Sequence, residues 1–361
     1  MKRRTLFKVG ALTAAASALA RPAVAQGMPD VRWRLTSAFP KPLAIITGAA
    51  ETFARYVSDA TDGHFNISTF PAGELAPGLK AIDAVADGTV ECAQAPLYFN
   101  MDQEPTLAIG TGLPFGMNAR HQQSWWIAGG GAALINEALS KFNCTALVMG
   151  NSGTQMGGWF RKEIRSVDDL KGLKFRIGGM GGDILARLGV ERVMTAPGDI
   201  SAALEEGRID AAEFVGPFDD ERLGFQKVAK YYYYPGWWEG GAMLHLVVHR
   251  DKWEALPEHY RSVLRQAGEA TNAWMLARYD KENPAALHRL IDNGVLLKAF
   301  PKPVIEACWA AAKEHYASVA ENNALFKRTL DSHDAFRGEA LSYWRIAEHD
   351  YDSMMLEILR Q

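Results

Sequence analysis

Hydrophobic and polar positions follow two different periods in the first third of this chain. Residues 31–38 alternate apolar and polar side chains, as a half-buried strand does, whereas 43–61 spaces its apolar side chains as a helix does. The pattern predicts strands at Val31–Ala38, Phe65–Phe70 and Glu91–Leu97, and helices at Leu43–Thr61 and Leu79–Ala86. This alternating order indicates an α/β unit with a mostly parallel sheet.

A second set of short elements follows a predicted strand at Thr145–Gly150. Strands are predicted at Met156–Arg161, Lys174–Ile177, Val193–Thr195, Ala211–Val215 and Val228–Tyr234, and helices at Gly182–Leu188 and Ile200–Glu206. Met243–His249 is strongly β-like, and we expect it to return the chain to the first unit. The predicted fold class is therefore α/β with two lobes that close like a clamshell. Lobe I spans 27–152 and is completed by about 243–290, and lobe II spans 153–242.

The last third of the chain has a helical pattern. Apolar residues mark one face of Glu258–Glu282, and we expect Pro284 to bend or restart this helix because proline lacks a backbone N–H. Two further helices are predicted at Pro303–Leu330 and Arg337–Leu359. Residues 291–361 therefore form a C-terminal helical region.

Composition describes a globular protein without an obvious macromolecular partner. Apolar residues make up 48% of the chain and charged residues 22%, as in an ordinary soluble protein. The formal net charge of -3 gives no reason to expect nucleic acid or an anionic membrane. Cys92, Cys144 and Cys308 form no CxxC pair, so we expect buried thiols rather than a zinc site.

The N-terminus has the pattern of an export signal. Two adjacent arginines lie in a charged segment, Leu12–Ala20 is apolar, and a small-residue cleavage site ends at Ala25. Paired arginines direct twin-arginine export, and the apolar stretch is shorter than the ~20 residues of a spanning helix. We expect a twin-arginine signal peptide at 1–25, maturation near Gln26 or Gly27, and a periplasmic protein. The alternative is an anchored N-terminus.

The chain lacks the HExxH, GxSxG and P-loop signatures of common enzymes. The glycine-rich run Gly178–Gly182 follows a predicted strand, but its spacing does not match GxGxxG. This run is a dinucleotide site, a flexible connection, or a set of amides that face an anion. His245 lies in an apolar strand and is interpreted as a core residue rather than a catalyst.

Polar residues in apolar surroundings mark a candidate binding site. Arg176 ends a short apolar strand, where it either grips a carboxylate with two parallel hydrogen bonds or forms an exposed salt bridge. Gln155 precedes another strand, Glu213 lies in an apolar strand, and Glu239 lies in a glycine-rich loop. Because a buried carboxylate is costly unless paired, the two acids either hold a hard cation or pair separately with nearby Lys or Arg.

At these residues the chain resembles the solute receptors of tripartite ATP-independent periplasmic (TRAP) transporters. The matching signals are Gly73-Glu74-Leu75, the block Gly172–Ile177, and the pattern Ala203-Leu204-x-x-Gly207-x-Ile209-Asp210-Ala211-x-Glu213. The resemblance covers nearly the whole chain beyond the export signal. It implies a type II-like periplasmic binding protein, not an enzyme, that closes on an organic acid and delivers it to a membrane permease.

Within that family, Arg176 corresponds to the arginine that binds the ligand carboxylate. Many relatives carry a second arginine near Gln155, so this chain looks like the subgroup that binds 2-oxo acids such as pyruvate, or 2-hydroxy acids such as lactate, with a metal. The resemblance implies that Gln155, Glu213, Glu239 and the main-chain carbonyl of Phe214 hold the metal, as sodium or, alternatively, calcium.

Two aromatic residues complete the predicted ligand site. Tyr98 is either a hydrogen-bond donor from the first lobe or a packing aromatic, and Trp237 is a candidate for the apolar wall.

The resemblance also implies a homodimer that forms through an extended C-terminal helix. Leu341, Trp344, Ile346 and Met354 or Met355 are the candidate contact face, and the alternative is a helix folded onto its own lobes. Two competing functions stay open: an exported lyase or hydrolase, and a sensor that presents the closed clamshell to a receptor kinase.

Overall fold

The computed structural model describes residues 28–360. The strands are β1 (Val31–Ser37), β2 (Phe65–Phe70), β3 (Cys92–Ala95), β4 (Cys144–Asn151), β5 (Trp159–Phe160), β6 (Lys174–Arg176), β7 (Glu191–Val193), β8 (Ala211–Ala212), β9 (Tyr231–Tyr234), β10 (Met243–His249) and β11 (Leu296–Ala299). The helices are α1 (Ala44–Ala60), α2 (Ala81–Ala86), α3 (Thr106–Thr111), α4 (Ala119–Ala128), α5 (Gly131–Leu139), α6 (Gly179–Ala186), α7 (Ile200–Glu205), α8 (Pro217–Leu223), α9 (Arg250–Glu254), α10 (Glu258–Asp292), α11 (Lys302–Asn322), α12 (Ala324–Trp344) and α13 (Asp350–Ile358). The predicted signal peptide, 1–25, lies outside the described residues.

The first sheet has the strand order β2-β1-β3-β10-β4. The strands β2, β1 and β3 run parallel, and β10 is antiparallel to both β3 and β4. Helix α1 covers this sheet because Ile46, Phe53 and Val57 recur on one buried face. The prediction that Met243–His249 returns to the first unit is confirmed.

The second sheet has the strand order β11-β9-β5-β8-β6-β7. Its strand β11 pairs in parallel with β9, so the predicted C-terminal helical region, 291–361, also contributes a strand at residues 296–299 to the second sheet. Four residues between a glycine turn and a long helix are too few to show a period. Strand β8 is also shorter than predicted and ends at Ala212, because Glu213–Val215 line the space between the lobes.

Two crossing segments and one helix connect the sheets. Residues 152–155 lie beside 239–242, where Ser152 N donates to Ala242 O at 3.1 Å and Gln155 N donates to Glu239 O at 3.2 Å. Helix α10 packs on α1 and β4 of the first lobe and on α8 of the second. Helix α10 continues without a break through Pro284, so the predicted restart of the helix at this residue is wrong. The fold is thus a two-lobed α/β clamshell with long C-terminal helices.

The C-terminal helices divide at Asn323 rather than between residues 330 and 337 as predicted. The side-chain oxygen of Asn323 accepts a hydrogen bond from Phe326 N at 2.8 Å and caps the start of α12. Beyond α12, a π-helical turn at Arg345–His349 leads directly into α13.

Two further observations concern cysteine chemistry and membrane insertion. Cys92, Cys144 and Cys308 are free and buried, as predicted. Between residues 28 and 360, no helix combines the length and the apolar character needed to cross a membrane.

Candidate functional site

Arg176 lies at the end of β6 and is fully integrated into the second lobe. The register of β6 on β8 sets Arg176 beside Ala212, one residue before Glu213. Its Nη1 donates to Glu213 Oε1 at 2.5 Å and to the Glu213 carbonyl at 3.0 Å, and its Nε donates to the Thr195 carbonyl at 3.1 Å. Because only 3% of Arg176 is exposed, the alternative of an exposed salt bridge is wrong.

Glu213 is the carboxylate that orients this guanidinium. Its Oε1 also accepts a hydrogen bond from Gly178 N at 2.8 Å, so an amide of the glycine-rich run does face an anion, which is a protein carboxylate. Burial raises the pKa of Glu213, although the charge of Arg176 and the Gly178 hydrogen bond act in the opposite direction. The glycine-rich run therefore helps to fix the position of the Glu213 carboxylate.

Glu239 and Gln155 present acceptor atoms that no donor satisfies. Both residues are buried on the two crossing segments. In the described part of the chain, Glu239 Oε2 and Gln155 Oε1 have no hydrogen-bond partner. Gln155 Nε2 is held by Ser152 Oγ at 3.3 Å, which leaves the amide oxygen as its free end.

Electrostatics at Glu239 favour a cation nearby. Burial raises the pKa of Glu239 well above its usual value, the charge of Glu213 raises it further, and Arg176 opposes both effects. Within residues 28–360, Glu239 forms no salt bridge, whereas Glu213 pairs with Arg176. The alternative in which each acid has its own Lys or Arg is therefore wrong.

These atoms fit a hard cation with oxygen ligands. Two carboxylates face one guanidinium, and an incoming ligand carboxylate would add another negative charge. No group of three or more His, Cys, Asp or Glu side chains in the described chain is arranged to hold a metal. An ion here would need neutral oxygens as well, such as Gln155 Oε1, a main-chain carbonyl such as that of Phe214, and the ligand itself.

Tyr98 is a first-lobe residue that contacts the second lobe. Its ring packs on Gly178 and Gly179, where a Cβ added to Gly178 would lie 3.2 Å from the ring. Burial raises the pKa of Tyr98 well above its usual value, and the charges of Glu239 and Glu213 add to that shift. The hydroxyl of Tyr98 therefore stays protonated.

Trp237 does not lie where the sequence predicts. Its ring stacks on Phe115 with centroids 4.8 Å apart, and its carbonyl accepts a hydrogen bond from Phe115 N at 2.7 Å. It is not among the residues that line the cavity between the lobes. The Phe115 stack covers one face of the indole.

The cavity between the lobes is small and has two different walls. Its volume is about 30 Å³, which corresponds to roughly two water molecules. The second-lobe wall consists of Gln155, Arg176, Pro197, Glu213, Phe214 and Val215, and the first-lobe wall of Phe39, Ile46, Tyr98, Phe99, Leu244 and Met275, with Ser152 and Ala242 from the crossing segments. The sequence did not single out the apolar residues of the first-lobe wall, because they have the same apolar periodicity as ordinary core positions.

Comparisons with known proteins identify relatives along nearly the entire chain. The family model described as "Bacterial extracellular solute-binding protein, family 7" matches residues 36–323. A monocarboxylate 2-oxoacid-binding periplasmic protein of Nostoc sp. (strain PCC 7120) is 42% identical over 359 residues, which cover 98% of each chain.

Two solved structures share the fold closely. A TRAP transporter solute binding protein from Bordetella bronchiseptica, a mixed-occupancy dimer with copurified calcium and picolinate, is 43% identical with a TM-score of 0.90, covering 92% of this chain and 99% of that chain. A TRAP periplasmic solute binding protein from Pseudoalteromonas atlantica, with bound sodium and pyruvate, is 32% identical with a TM-score of 0.87, covering 90% and 99%.

Proposed function

Because the chain belongs to bacterial extracellular solute-binding protein family 7, the solute receptors of TRAP transporters, we propose that its ligands are small 2-oxo monocarboxylates such as pyruvate, bound with a cation. It is a receptor and not an enzyme. Lobe I (27–152 with about 243–290) closes against lobe II (153–242, with β11 in its sheet) in the periplasm, after export directed by residues 1–25, and the loaded protein docks on a membrane permease.

The observation that carries this proposal is a buried guanidinium in the small cavity between the lobes, together with two buried, unsatisfied acceptor oxygens on the crossing segments, one of them from Gln155 in the cavity wall. Arg176 can hold a carboxylate, and Gln155 Oε1 and Glu239 Oε2 can hold a cation. A 2-oxo acid offers a carboxylate oxygen and an adjacent keto oxygen, so it can chelate that cation while Arg176 binds its carboxylate.

Energetics require the cation to contribute. A hydrogen bond to a charged group contributes about 1.5–3 kcal/mol, whereas micromolar affinity requires about 8 kcal/mol. Arg176 alone falls short of that value, so chelation and burial of the ligand between the lobes must supply the rest.

The relatives support the same ligand class. The Nostoc protein is named for 2-oxo acids, and the Pseudoalteromonas protein binds pyruvate with sodium. The Bordetella protein binds picolinate with calcium. Picolinate carries a ring nitrogen next to its carboxylate, as pyruvate carries a keto oxygen, so both molecules can chelate one ion.

Sodium is the cation of this proposal, and calcium is the alternative. Arg176, a sodium ion, one ionised glutamate and the ligand carboxylate sum to zero charge, whereas calcium gives zero when both Glu213 and Glu239 are ionised. Titration in sodium, in choline, and in calcium followed by a chelator distinguishes the two ions.

Titration calorimetry with pyruvate and lactate tests the ligand class. We expect pyruvate to bind in the presence of the cation and more weakly without it, and lactate to bind less tightly than pyruvate. Absence of heat and of any thermal shift with 2-oxo acids would refute the proposal. Tighter binding of lactate would assign the protein to 2-hydroxy acids, and turnover of pyruvate would assign it to the enzymes.

A homodimer belongs to the same proposal. Leu341, Ile346 and Met354 are exposed beyond the part of α12 that packs on the first lobe. Trp344, by contrast, is partly covered and lies edge-on to His121, at 6.2 Å between ring centroids. We expect light scattering to give twice the mass of one chain, and Ile346→Lys to give the mass of a single chain.

A further inference from the structure

Met275 occupies a distinctive position in the first-lobe wall. It lies on α10, the helix that packs on both lobes, and it lines the cavity although its own exposure is 0%. Ile46 and Leu244 lie in the same wall. Since methionine is unbranched and flexible, its side chain adapts to the space that its neighbours leave.

Gly150 supplies that space. It lies inside β4, opposite Leu244 of β10. A Cβ added to Gly150 would lie 2.5 Å from Met275 Sδ and 3.7 Å from Leu244 Cβ. The φ of Gly150 is not positive, so the backbone does not require glycine there. A glycine inside a strand marks a place where another group approaches closely, and here that group is the thioether of Met275.

The two walls fix the orientation of a ligand. Arg176, Gln155 and the acids lie in the second lobe or on the crossing segments, so they hold the carboxylate and the neighbouring oxygen. The substituent at the far end of the ligand must then face the apolar first-lobe wall. In a cavity of about 30 Å³, small changes in that wall decide what fits.

We propose that Met275, seated in the notch that Gly150 leaves in β4, sets the length of the ligand side chain that the receptor accepts. This proposal rests on the proposed function and names the residue that selects among 2-oxo acids. Truncating Met275 opens the wall, and adding a side chain at Gly150 pushes the thioether into the cavity.

The test is titration of pyruvate, 2-oxobutanoate and 2-oxopentanoate into the full-length mature protein and two variants, with the cation present. Burial of one methylene changes affinity by about fourfold. We therefore expect Met275→Ala to shift the affinity ratio toward the longer acid by about fourfold per added methylene. Gly150→Ala should shift the ratio toward pyruvate.

A matched control separates pocket size from lost stability. Met149 is also fully buried, but it packs in the separate core between β1, α1 and the start of α10 and does not line the cavity. Met149→Ala should lower the unfolding temperature without changing the ligand ratios. If Met275→Ala does not fold, Met275→Val, which removes less volume, and Gly150→Ala still test the two directions.

The experiment distinguishes a failure of the Met275 proposal from a failure of the proposed function. A wild-type protein that binds none of the three acids refutes the function itself. A wild-type protein that binds pyruvate, with ratios unchanged in the Met275 and Gly150 variants, refutes the role of Met275 alone. Ratios that change equally in Met149→Ala refute it as well.

Discussion

The two walls of the cavity differ in polarity and in the interactions that shape them. The second-lobe wall is polar, and its central residue, Arg176, is held by three hydrogen bonds from two of its nitrogens. The first-lobe wall is apolar apart from the Tyr98 hydroxyl and is shaped by close packing, as at Met275 and Gly150. In the proposed arrangement, charge and preorganisation on one side would bind the acid group, and shape on the other side would select the remainder of the ligand.

Arg176→Ala should have the largest effect because it removes the centre of the polar wall. It abolishes the ligand carboxylate contact and also leaves Glu213 buried without its partner, which costs about 3–5 kcal/mol of unfolding free energy. Calorimetry should show about 100-fold weaker pyruvate binding, since a hydrogen bond to a charged group contributes up to about 3 kcal/mol. Urea unfolding measures the loss of stability.

Arg289→Ala is the matched control for that variant. Its guanidinium pairs with Glu221 at 2.6 Å but is half exposed, so its removal should cost less than about 1 kcal/mol. Pyruvate binding should be unchanged. If Arg176→Ala binds pyruvate normally, the polar wall is not the ligand site.

Asp220→Asn tests the effect of a buried second-lobe carboxyl on the pH dependence of stability. Trp159 Nε1 and Tyr232 Oη donate to Asp220 Oδ2 at 2.9 and 2.7 Å, and burial raises the pKa of Asp220 to about 8. Between pH ~4 and ~8 the unfolded chain therefore binds fewer protons than the folded protein. Stability attributable to Asp220 is present below pH ~4 and falls by up to about 1.4 kcal/mol per pH unit as pH rises.

Urea unfolding of wild type and Asp220→Asn at pH 5 and pH 7.5 measures this effect. Asparagine retains the acceptor for Trp159 and Tyr232 but cannot ionise, so the variant should gain stability relative to wild type at the higher pH. Pyruvate affinity should not change, because Asp220 does not line the cavity. Parallel pH profiles for the two proteins would show that Asp220 is ionised when buried.

Glu239→Gln separates ligand binding from stability at the crossing segment that carries this buried carboxylate. Loss of this carboxylate should weaken the cation, and pyruvate with it, by at least the 10–100-fold that even outer partners of a metal contribute. Because burial disfavours the charged form of Glu239, the ligand-free variant should unfold at a higher temperature than wild type. A variant that binds cation and pyruvate like wild type removes Glu239 from the site.

Gly178→Ala should have the smallest effect, because it touches only the contact between the walls. The added Cβ would lie 3.2 Å from the Tyr98 ring, and modest overpacking costs about 1 kcal/mol. We expect pyruvate to bind about fivefold more weakly. Gly338→Ala, on an open face of α12, should leave binding unchanged, and equal effects of the two substitutions would exclude a role for the Tyr98 contact.

The sequence reveals the polar wall better than the apolar one. Arg176 and Glu213 are charged residues in apolar strands, and such exceptions need a partner wherever they are buried. Met275 and Gly150 follow the ordinary pattern of a helix face and a strand, so the sequence gives no signal for the role proposed for them, which rests on their close approach. Trp237 is a candidate for the apolar wall in the sequence, whereas in the structure its ring stacks on Phe115 and does not line the cavity.

The secondary-structure elements also differ in how well the sequence predicts them. Long periodic segments such as α1 and α10 are predicted well, because each buries a continuous face. Strand β11 and the cap at Asn323 depend on a partner strand and on one side-chain hydrogen bond. Neither the four-residue strand nor the single capping residue is long enough to show a periodic sequence pattern.

A crystal structure of the mature protein with pyruvate and its cation tests most directly whether Arg176 and an ion hold the acid together. We predict the pyruvate carboxylate on the Arg176 guanidinium, and one ion in contact with Gln155 Oε1, Glu239 and two pyruvate oxygens, at about 2.3–2.6 Å if that ion is calcium. Pyruvate bound away from Arg176, or bound there with no ion in contact, would contradict this arrangement.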